Sequence, residues 1–275
     1  LRYFPGKPVS MGLKTSIRQN SQTHNFTVTA PVFTANVTRF FPLKTLRRNP
    51  VGKTRWYEQI GMTYNLEAQN SATFHDSLIS KNRYSEIQKK FQNGISQSTT
   101  IQTTVSLFEN TWKLTPSVNY SNRINFQQTR RSQLNDTTIV TDTIQQTGMS
   151  QNISLNVQLT TVLYSYYRIV GKNKPIMRHI LTPSFGYRYV PNLNKSLSYQ
   201  NTAQQSINYS PFETSLYRES VTQDQSIITF GFNNTFETKR KSDKDTLTGF
   251  KKTMLIDALS ISGNYDLIKD SMKLS

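Results

Sequence analysis

The sequence contains no cysteine among its 275 residues. This absence excludes disulfide bonds, thiolate metal sites and cysteine nucleophiles, although it does not identify the cellular compartment. No run of about 18 or more apolar residues occurs, so the sequence offers no candidate transmembrane helix. The chain opens at Leu1 without a signal peptide, and we expect it to be a processed or truncated piece of a longer protein.

The residues that usually carry catalysis are also scarce. The three histidines, His24, His75 and His179, lie far apart in sequence, and none has metal-ligand spacing. No GxSxG motif, glycine-rich phosphate loop or defensible pair of carboxylates is present. We therefore expect a protein that is not an enzyme and that has no cofactor or metal site.

Acidic residues are few relative to basic ones. The chain has 33 Lys and Arg against 16 Asp and Glu, a net charge of +17. Such an excess favours an anionic partner: nucleic acid, a membrane surface or a phosphorylated glycolipid. The basic residues are spread along the chain and often fall in turn-like stretches, such as 44–55, 129–131 and 239–244. No nucleic-acid-binding motif accompanies them, and we expect no nucleic-acid partner.

The stretch 60–70 reads IGMTYNLEAQN and alternates between apolar and polar side chains. Because side chains alternate across a β-strand, this stretch predicts one extended strand with two unlike faces. The apolar face carries Ile60, Met62, Tyr64 and Leu66. The polar face carries Asn65, Glu67 and Gln69.

The same alternation recurs along the chain and predicts roughly nine long strands. The other eight stretches are 7–19, 24–41, 101–107, 112–124, 153–159, 179–189, 227–237 and 258–266. Within 24–41 the apolar phase shifts after Pro31, which predicts a bulge or break. Long polar connections are expected at 41–55, 127–149 and 190–226. Residues 82–94 predict a short helix that ends near Gly94.

Two kinds of protein use such two-faced strands. A soluble sandwich covers the apolar face with a protein core, whereas a membrane barrel turns it to lipid and the polar face to a wet lumen. Only 35% of the residues are hydrophobic while 11% are aromatic, which favours the barrel with its aromatic girdles. We therefore predict an all-β fold, an antiparallel transmembrane β-barrel or part of one. Its lipid-facing side chains would be Ile60, Met62, Tyr64 and Leu66, and its lumen-facing side chains Asn65, Glu67 and Gln69.

Four stretches, in order, resemble one known family. They are RFFPLK (39–44), VGKTRWYEQIGMTYNLEAQN (51–70), RHILTPSFGYRYVPN (178–192) and a fourth stretch that starts at NNTFETKRKSDKD and ends at KKTMLIDALSISGNYD (233–266). The chain resembles the barrel of the lipopolysaccharide-assembly family LptD, in the form found in Bacteroidetes-type bacteria. The resemblance covers most of the chain and is weakest over 71–110 and 127–150.

The resemblance implies a function, a location and partners. It implies a barrel in the cell outer membrane that delivers lipopolysaccharide to the outer leaflet. The implied partners are lipopolysaccharide, outer-membrane lipid, a plug lipoprotein in the lumen and periplasmic bridge proteins. Nine strands are fewer than the family's barrel has, so residues 1–275 are expected to form one central barrel segment without the lateral-gate strands. Another outer-membrane porin or secretion channel is the alternative, followed by a soluble secreted β-sandwich.

Overall fold

The described part of the chain is almost entirely β-structure. The computed structural model describes residues 8–46, 52, 54–80, 83–135, 138–168, 176–201, 203–241 and 250–274. The strands are β1 (Val9–Asn20), β2 (Asn25–Phe40), β3 (Gly61–His75), β4 (Gln92–Gln102), β5 (Val105–Leu107), β6 (Trp112–Asn125), β7 (Gln128–Asn135), β8 (Thr138–Ile144), β9 (Gly148–Thr161), β10 (Leu163–Arg168), β11 (Ile176–Val190), β12 (Leu197–Gln200), β13 (Ser206–Tyr209), β14 (Gln225–Lys241) and β15 (Phe250–Asp266).

Helical structure is confined to short pieces. Two 3-10 turns span Pro42–Leu46 and Trp56–Gln59, and two helices follow, α1 (Ser77–Ser80) and α2 (Tyr84–Lys89). Within the described ranges, none of the helices has both the length and the apolar character that crossing a membrane requires.

The long strands form one sheet, with the order β1-β2-β3-β4-β6-β9-β11-β14-β15. The short strands β5 and β10 pair beside this path, with β6 and β11 respectively, while β7–β8 and β12–β13 form separate hairpins. The ladders whose registers are resolved are antiparallel. This architecture confirms the predicted all-β, antiparallel fold with about nine long strands.

The residues group into two compact units. Unit 1 comprises Leu1–Ile101, Val118–Ser154 and Pro191–Gln223, and it contains β1–β3 and both separate hairpins. Unit 2 comprises Gln102–Ser117, Leu155–Val190 and Asp224–Ser275, and it contains β10, β11, β14 and β15. The expectation of a single barrel domain over 1–275 stays a prediction.

The predicted alternation is reproduced in the strand pairing of unit 1. Leu66 of β3 lies opposite Ala35 of β2, and Glu67 lies opposite Thr34. Since directly paired residues point to the same side of a sheet, the apolar row of one strand continues across its neighbour. The β2–β3 register shifts between Thr29 and Val32, which confirms the irregularity predicted at Pro31.

Burial in this protein is inverted relative to an ordinary soluble domain. Among the described residues only four hydrophobic side chains are buried: Ala72, Phe74, Tyr209 and Phe212. The buried polar and charged set is larger and consists of Glu58, Thr103, Asn122, Asn125, Gln127, Thr129, Ser150, Thr161, Ser210, Ser215, Ser226 and Thr238. Large apolar side chains on the strands remain exposed, as at Leu13, Leu155 and Phe185.

Several sequence expectations need correction. The helix in 82–94 exists as α2, but it ends at Lys89, and Gly94 lies inside β4 rather than at the helix terminus. The stretch 101–107 is not one strand, because β4 ends at Gln102 and β5 begins at Val105.

The connections also differ from expectation. The segment 127–149 contains the hairpin β7–β8, and 190–226 contains β12–β13, so neither is simply a polar loop. The basic stretches at 44–55 and 239–244 lie partly outside the described residues, at 47–51, 53 and 242–244.

Candidate functional site

A short aromatic segment that begins at the last residue of β13 makes many hydrogen bonds within unit 1. We call residues 209–219, with the sequence YSPFETSLYRE, the aromatic segment. Its backbone folds on itself, since the amides of Ser215 and Glu219 both donate to the carbonyl of Phe212, at 3.2 and 3.3 Å. Phe212 and Tyr209 are buried, although the chain around them is irregular.

Two rings of the aromatic segment occupy sites left open by glycines. A Cβ atom on Gly94 would lie 2.8 Å from Cδ2 of Tyr217, and one on Gly148 would lie 2.7 Å from Cε1 of Phe212. Both distances are too short for a real side chain, so only glycine admits the rings at these positions. The two rings therefore pack into the spaces that the absent side chains of Gly94 in β4 and Gly148 in β9 leave open. We call these two spaces the seats of the segment.

Asn125, at the end of β6, fixes the backbone of the segment. Its Nδ2 donates to the carbonyl of Tyr217 at 3.0 Å, and its Oδ1 accepts from the Tyr217 amide at 3.0 Å. The side chain is 1% exposed. A buried amide that pairs with both backbone groups of one residue satisfies polar atoms that would otherwise be orphaned.

Gln127, between β6 and β7, and Thr129 of β7 add further hydrogen bonds to the segment. The hydroxyl of Ser215 donates to the carbonyl of Gln127 at 2.9 Å, and the amide of Thr129 donates to the carbonyl of Pro211 at 2.7 Å. The hydroxyls of Thr129 and Thr214 also share a hydrogen bond. The segment is therefore held by directional bonds along its whole length.

Ion pairs hold the segment near its middle, at Glu213, and at its end, at Glu219. Arg123 Nη1 donates to Glu219 Oε2 at 2.6 Å, and Arg131 pairs with Glu213. The guanidinium of Arg131 also lies over the rings of Tyr199 and Tyr209, at 5.6 and 5.7 Å from their centroids. Such cation–π contacts add to the charge pairing.

Tyr217 connects the segment to one of the predicted site residues. Its hydroxyl donates to Glu67 Oε1 at 3.1 Å. Burial of the phenol, together with the neighbouring Glu67 carboxylate, raises the pKa of Tyr217 above its ordinary value. Tyr217 therefore remains a neutral donor over the whole physiological pH range.

The three predicted lumen-facing residues alternate along β3 and share one face. Asn65 is exposed and lies opposite Asn36, whereas Glu67 is half-buried beneath Tyr217. Gln69 and Glu67 also line a cleft on this face together with Lys14 and Arg18 of β1. Cations beside amide and hydroxyl groups suit a hydrated, negatively charged ligand.

The predicted lipid-facing residues occupy the opposite face of β3. Tyr64 and Met62 lie opposite Val37 and Phe40 of β2, in the same apolar row as Leu66. Ile60 precedes β3, which begins at Gly61, so the strand is one residue shorter at this end than predicted. The assignment of these faces to lipid and to lumen stays a prediction.

The sequence interpretation did not identify the residues that hold the segment. Asn125 falls just beyond the predicted strand 112–124, and Gln127 and Thr129 fall in the polar connection predicted at 127–149. The stretch 190–226 was likewise interpreted as a polar connection. The available signal was the aromatic content of YSPFETSLY in an otherwise polar stretch. Large aromatic side chains in a connection are stabilised when they are buried against other residues. Here they pack against the strand glycines Gly94 and Gly148.

Comparisons with known proteins identify the family. No curated protein and no solved structure shows significant similarity to the chain. A protein-family model described as "LptD protein" matches residues 2–275. The match covers nearly the whole chain, and the all-β antiparallel sheet agrees with it. The chain therefore belongs to the LptD family of outer-membrane proteins, which transport and assemble lipopolysaccharide.

Proposed function

We propose that this chain lies in the cell outer membrane and guides lipopolysaccharide along its polar face toward the outer leaflet, without catalysing a reaction. The observation that carries the proposal is the inverted burial, with polar side chains inside and apolar side chains exposed. A soluble β-sandwich would bury its apolar rows between two sheets. In the described part of the chain, the burial of twelve polar or charged residues against four hydrophobic ones instead suits a sheet with lipid on one side.

The exposed apolar side chains form continuous rows. In unit 2, Tyr187 of β11 lies opposite both Val157 of β9 and Ile228 of β14, and all three are exposed. In water such a contiguous patch would be a liability, whereas lipid covers it at no cost. In unit 1 we assign the same orientation to Ile60, Met62, Tyr64 and Leu66.

The polar face has the chemistry that a glycolipid headgroup needs. Asn65, Glu67 and Gln69 offer hydrogen bonds to hydroxyl groups, and Lys14 and Arg18 can pair with phosphates. We propose that this face borders the lumen and that the headgroup moves along it. The aromatic segment, seated on Glu67, would then lie within the lumen.

We extend the proposal to protein partners on the basis of the resemblance alone. A plug lipoprotein would contact the polar face, and periplasmic bridge proteins would supply the lipid. Lysines near the strand ends, such as Lys113 at the start of β6, would meet anionic headgroups at the membrane surface.

Single-cysteine labelling tests the orientation, because the chain has no cysteine of its own. Cysteine at position 66 in the full-length protein should react with a lipid-soluble probe in outer membranes. Cysteine at position 65 should react with a small water-soluble thiol reagent. Release of the protein by a carbonate wash, or the reverse labelling of the two sites, would refute the proposal.

A further inference from the structure

We propose that a basic cleft in unit 1 binds a phosphorylated saccharide. The cleft, about 470 Å³ in volume, lies between the α2–β4 junction, strand β8 and the aromatic segment. The residues that matter are Lys89, Lys90, Arg218, Gln127, Thr73 and Thr143, which all line it. The inference rests on the proposed function, because it specifies which part of the lipid's headgroup the polar face would hold.

The charge of the cleft is unbalanced. Lys89, Lys90 and Arg218 contribute three cations, and the lining includes no carboxylate. Among the described residues, none of the three is recorded in an ion pair, whereas the neighbouring Arg123 is bonded to Glu219. Three unpaired cations around one concave space attract a phosphate, which carries about 1.5 to 2 negative charges at neutral pH.

Gln127 contributes an unsatisfied hydrogen-bond acceptor beside the cleft. Its side chain is buried, and its Nε2 donates to the carbonyl of Phe91 at 3.0 Å, which fixes the orientation of the amide. Its Oε1 has no hydrogen-bond donor among the described residues. A buried acceptor without a donor is destabilising, and a sugar hydroxyl would supply that donor.

The neighbouring hydroxyls complete the match. Thr73 of β3 and Thr143 of β8 line the cleft and can each donate or accept a hydrogen bond. The three cations can bind the phosphate, the threonine hydroxyls can bind the sugar ring, and Gln127 can accept a hydrogen bond from a sugar hydroxyl. Together these groups match a phosphorylated sugar. The same chemistry occurs in a lipopolysaccharide headgroup and in a free sugar phosphate.

Calorimetric titration of the full chain in detergent tests the site, with N-acetylglucosamine 1-phosphate as the probe. The triple variant Lys89→Gln, Lys90→Gln, Arg218→Gln should bind at least about tenfold more weakly than the unmodified chain. The matched control Arg188→Gln, Lys195→Gln, Lys269→Gln removes the same charge at exposed positions that do not line the cleft, and it should change binding by less than about twofold. Equal weakening in both variants, or none in the first, would overturn the proposal.

Two further measurements address folding and ligand identity. If the triple variant misfolds, the pair Lys89→Gln, Lys90→Gln serves instead, since both side chains are exposed and unbonded in the described structure. Inorganic phosphate should bind more weakly than the probe. The substitution Gln127→Met should reduce this difference in affinity between the two ligands. Equal affinity for both ligands in the unmodified chain would refute the saccharide part.

Competition identifies the source of the ligand. Displacement of the probe by purified lipopolysaccharide would assign the site to the headgroup, and its failure to compete would assign it to a free sugar phosphate. Surface delivery of lipopolysaccharide in cells that carry the triple variant reports on the proposed function separately. Normal binding in the triple variant would therefore refute the cleft without refuting transport.

Discussion

Asn125 holds both backbone polar groups of Tyr217, a residue 92 positions later in the chain, with two hydrogen bonds of 3.0 Å. This contact joins the end of β6 to the aromatic segment. It also positions the Tyr217 ring against Gly94 of β4. A single strand residue therefore determines the position of a segment that has no regular structure of its own.

Replacing Asn125 by alanine should loosen the aromatic segment. Loss of two hydrogen bonds leaves the partly buried amide and carbonyl of Tyr217 without these partners, at a cost of about 1–3 kcal/mol for docking of the segment. A fluorophore on a cysteine at the exposed position Ser220 should show faster rotation by anisotropy. The control Asn65→Ala alters an exposed asparagine of β3 and should leave the anisotropy unchanged. Equal anisotropy in all three proteins would contradict the role of Asn125.

Gly94→Ala should displace the Tyr217 ring, because the new Cβ would lie 2.8 Å from Cδ2 and 3.1 Å from the backbone carbonyl of Ile124. The expected loss of stability is about 1–3 kcal/mol, measured by denaturant unfolding in detergent. In the background Tyr217→Ala the same change should cost much less, since the ring is gone. Additive effects of the two substitutions would show that the ring and the glycine are independent.

High pH should release the segment. The pKa of Tyr217 is raised above its ordinary value of about 10, so the folded state favours the neutral phenol. That contribution is complete below about pH 10 and is lost as the pH rises further. The anisotropy of the probe at 220 should therefore fall above about pH 10. Tyr217→Phe, which cannot ionise, should show no such fall, and an identical fall in that variant would refute the assignment.

Arginine at adjacent positions of β3 should have opposite outcomes. Leu66→Arg in the full-length protein should reduce folding yield, since arginine on a lipid-facing strand costs about 2–4 kcal/mol near the membrane midplane. Asn65→Arg should be tolerated, because a lumen position stays hydrated. The heat-modifiable fraction on gels measures both. Equal abundance of the two variants would argue against the assigned faces.

Strand alternation made much of the sheet predictable. In β3, apolar and polar residues alternate from Gly61 onwards, and the pairing of Leu66 with Ala35 follows that pattern. Strand β4 (QNGISQSTTIQ) was largely missed because serine, threonine and glutamine occupy both of its faces. Gly94 was interpreted as a helix end, since the sequence alone cannot show that a ring from residue 217 lies against it.

The aromatic segment could not be predicted for a different reason. Its residues have no helical or strand period, and its position depends on contacts with residues such as Glu67 and Asn125, far away in sequence. Glu67 was chosen as a polar-face residue, which the pairing supports, but its bond to Tyr217 required the three-dimensional arrangement. Local patterns specify strands, whereas long-range hydrogen bonds specify what lies on them.

The two glycine seats also have a consequence for how the strands align during folding. Sliding β4 by two residues would keep every side chain on its original face of the sheet, because the strand period is two. That slip would nevertheless bring Gln92 or Ser96 to the place of Gly94 and close the seat of the Tyr217 ring. Registers of β4 that differ by two residues are equivalent in which side chains face each side of the sheet. The aromatic segment can dock in only one of them, so its docking depends on the correct register.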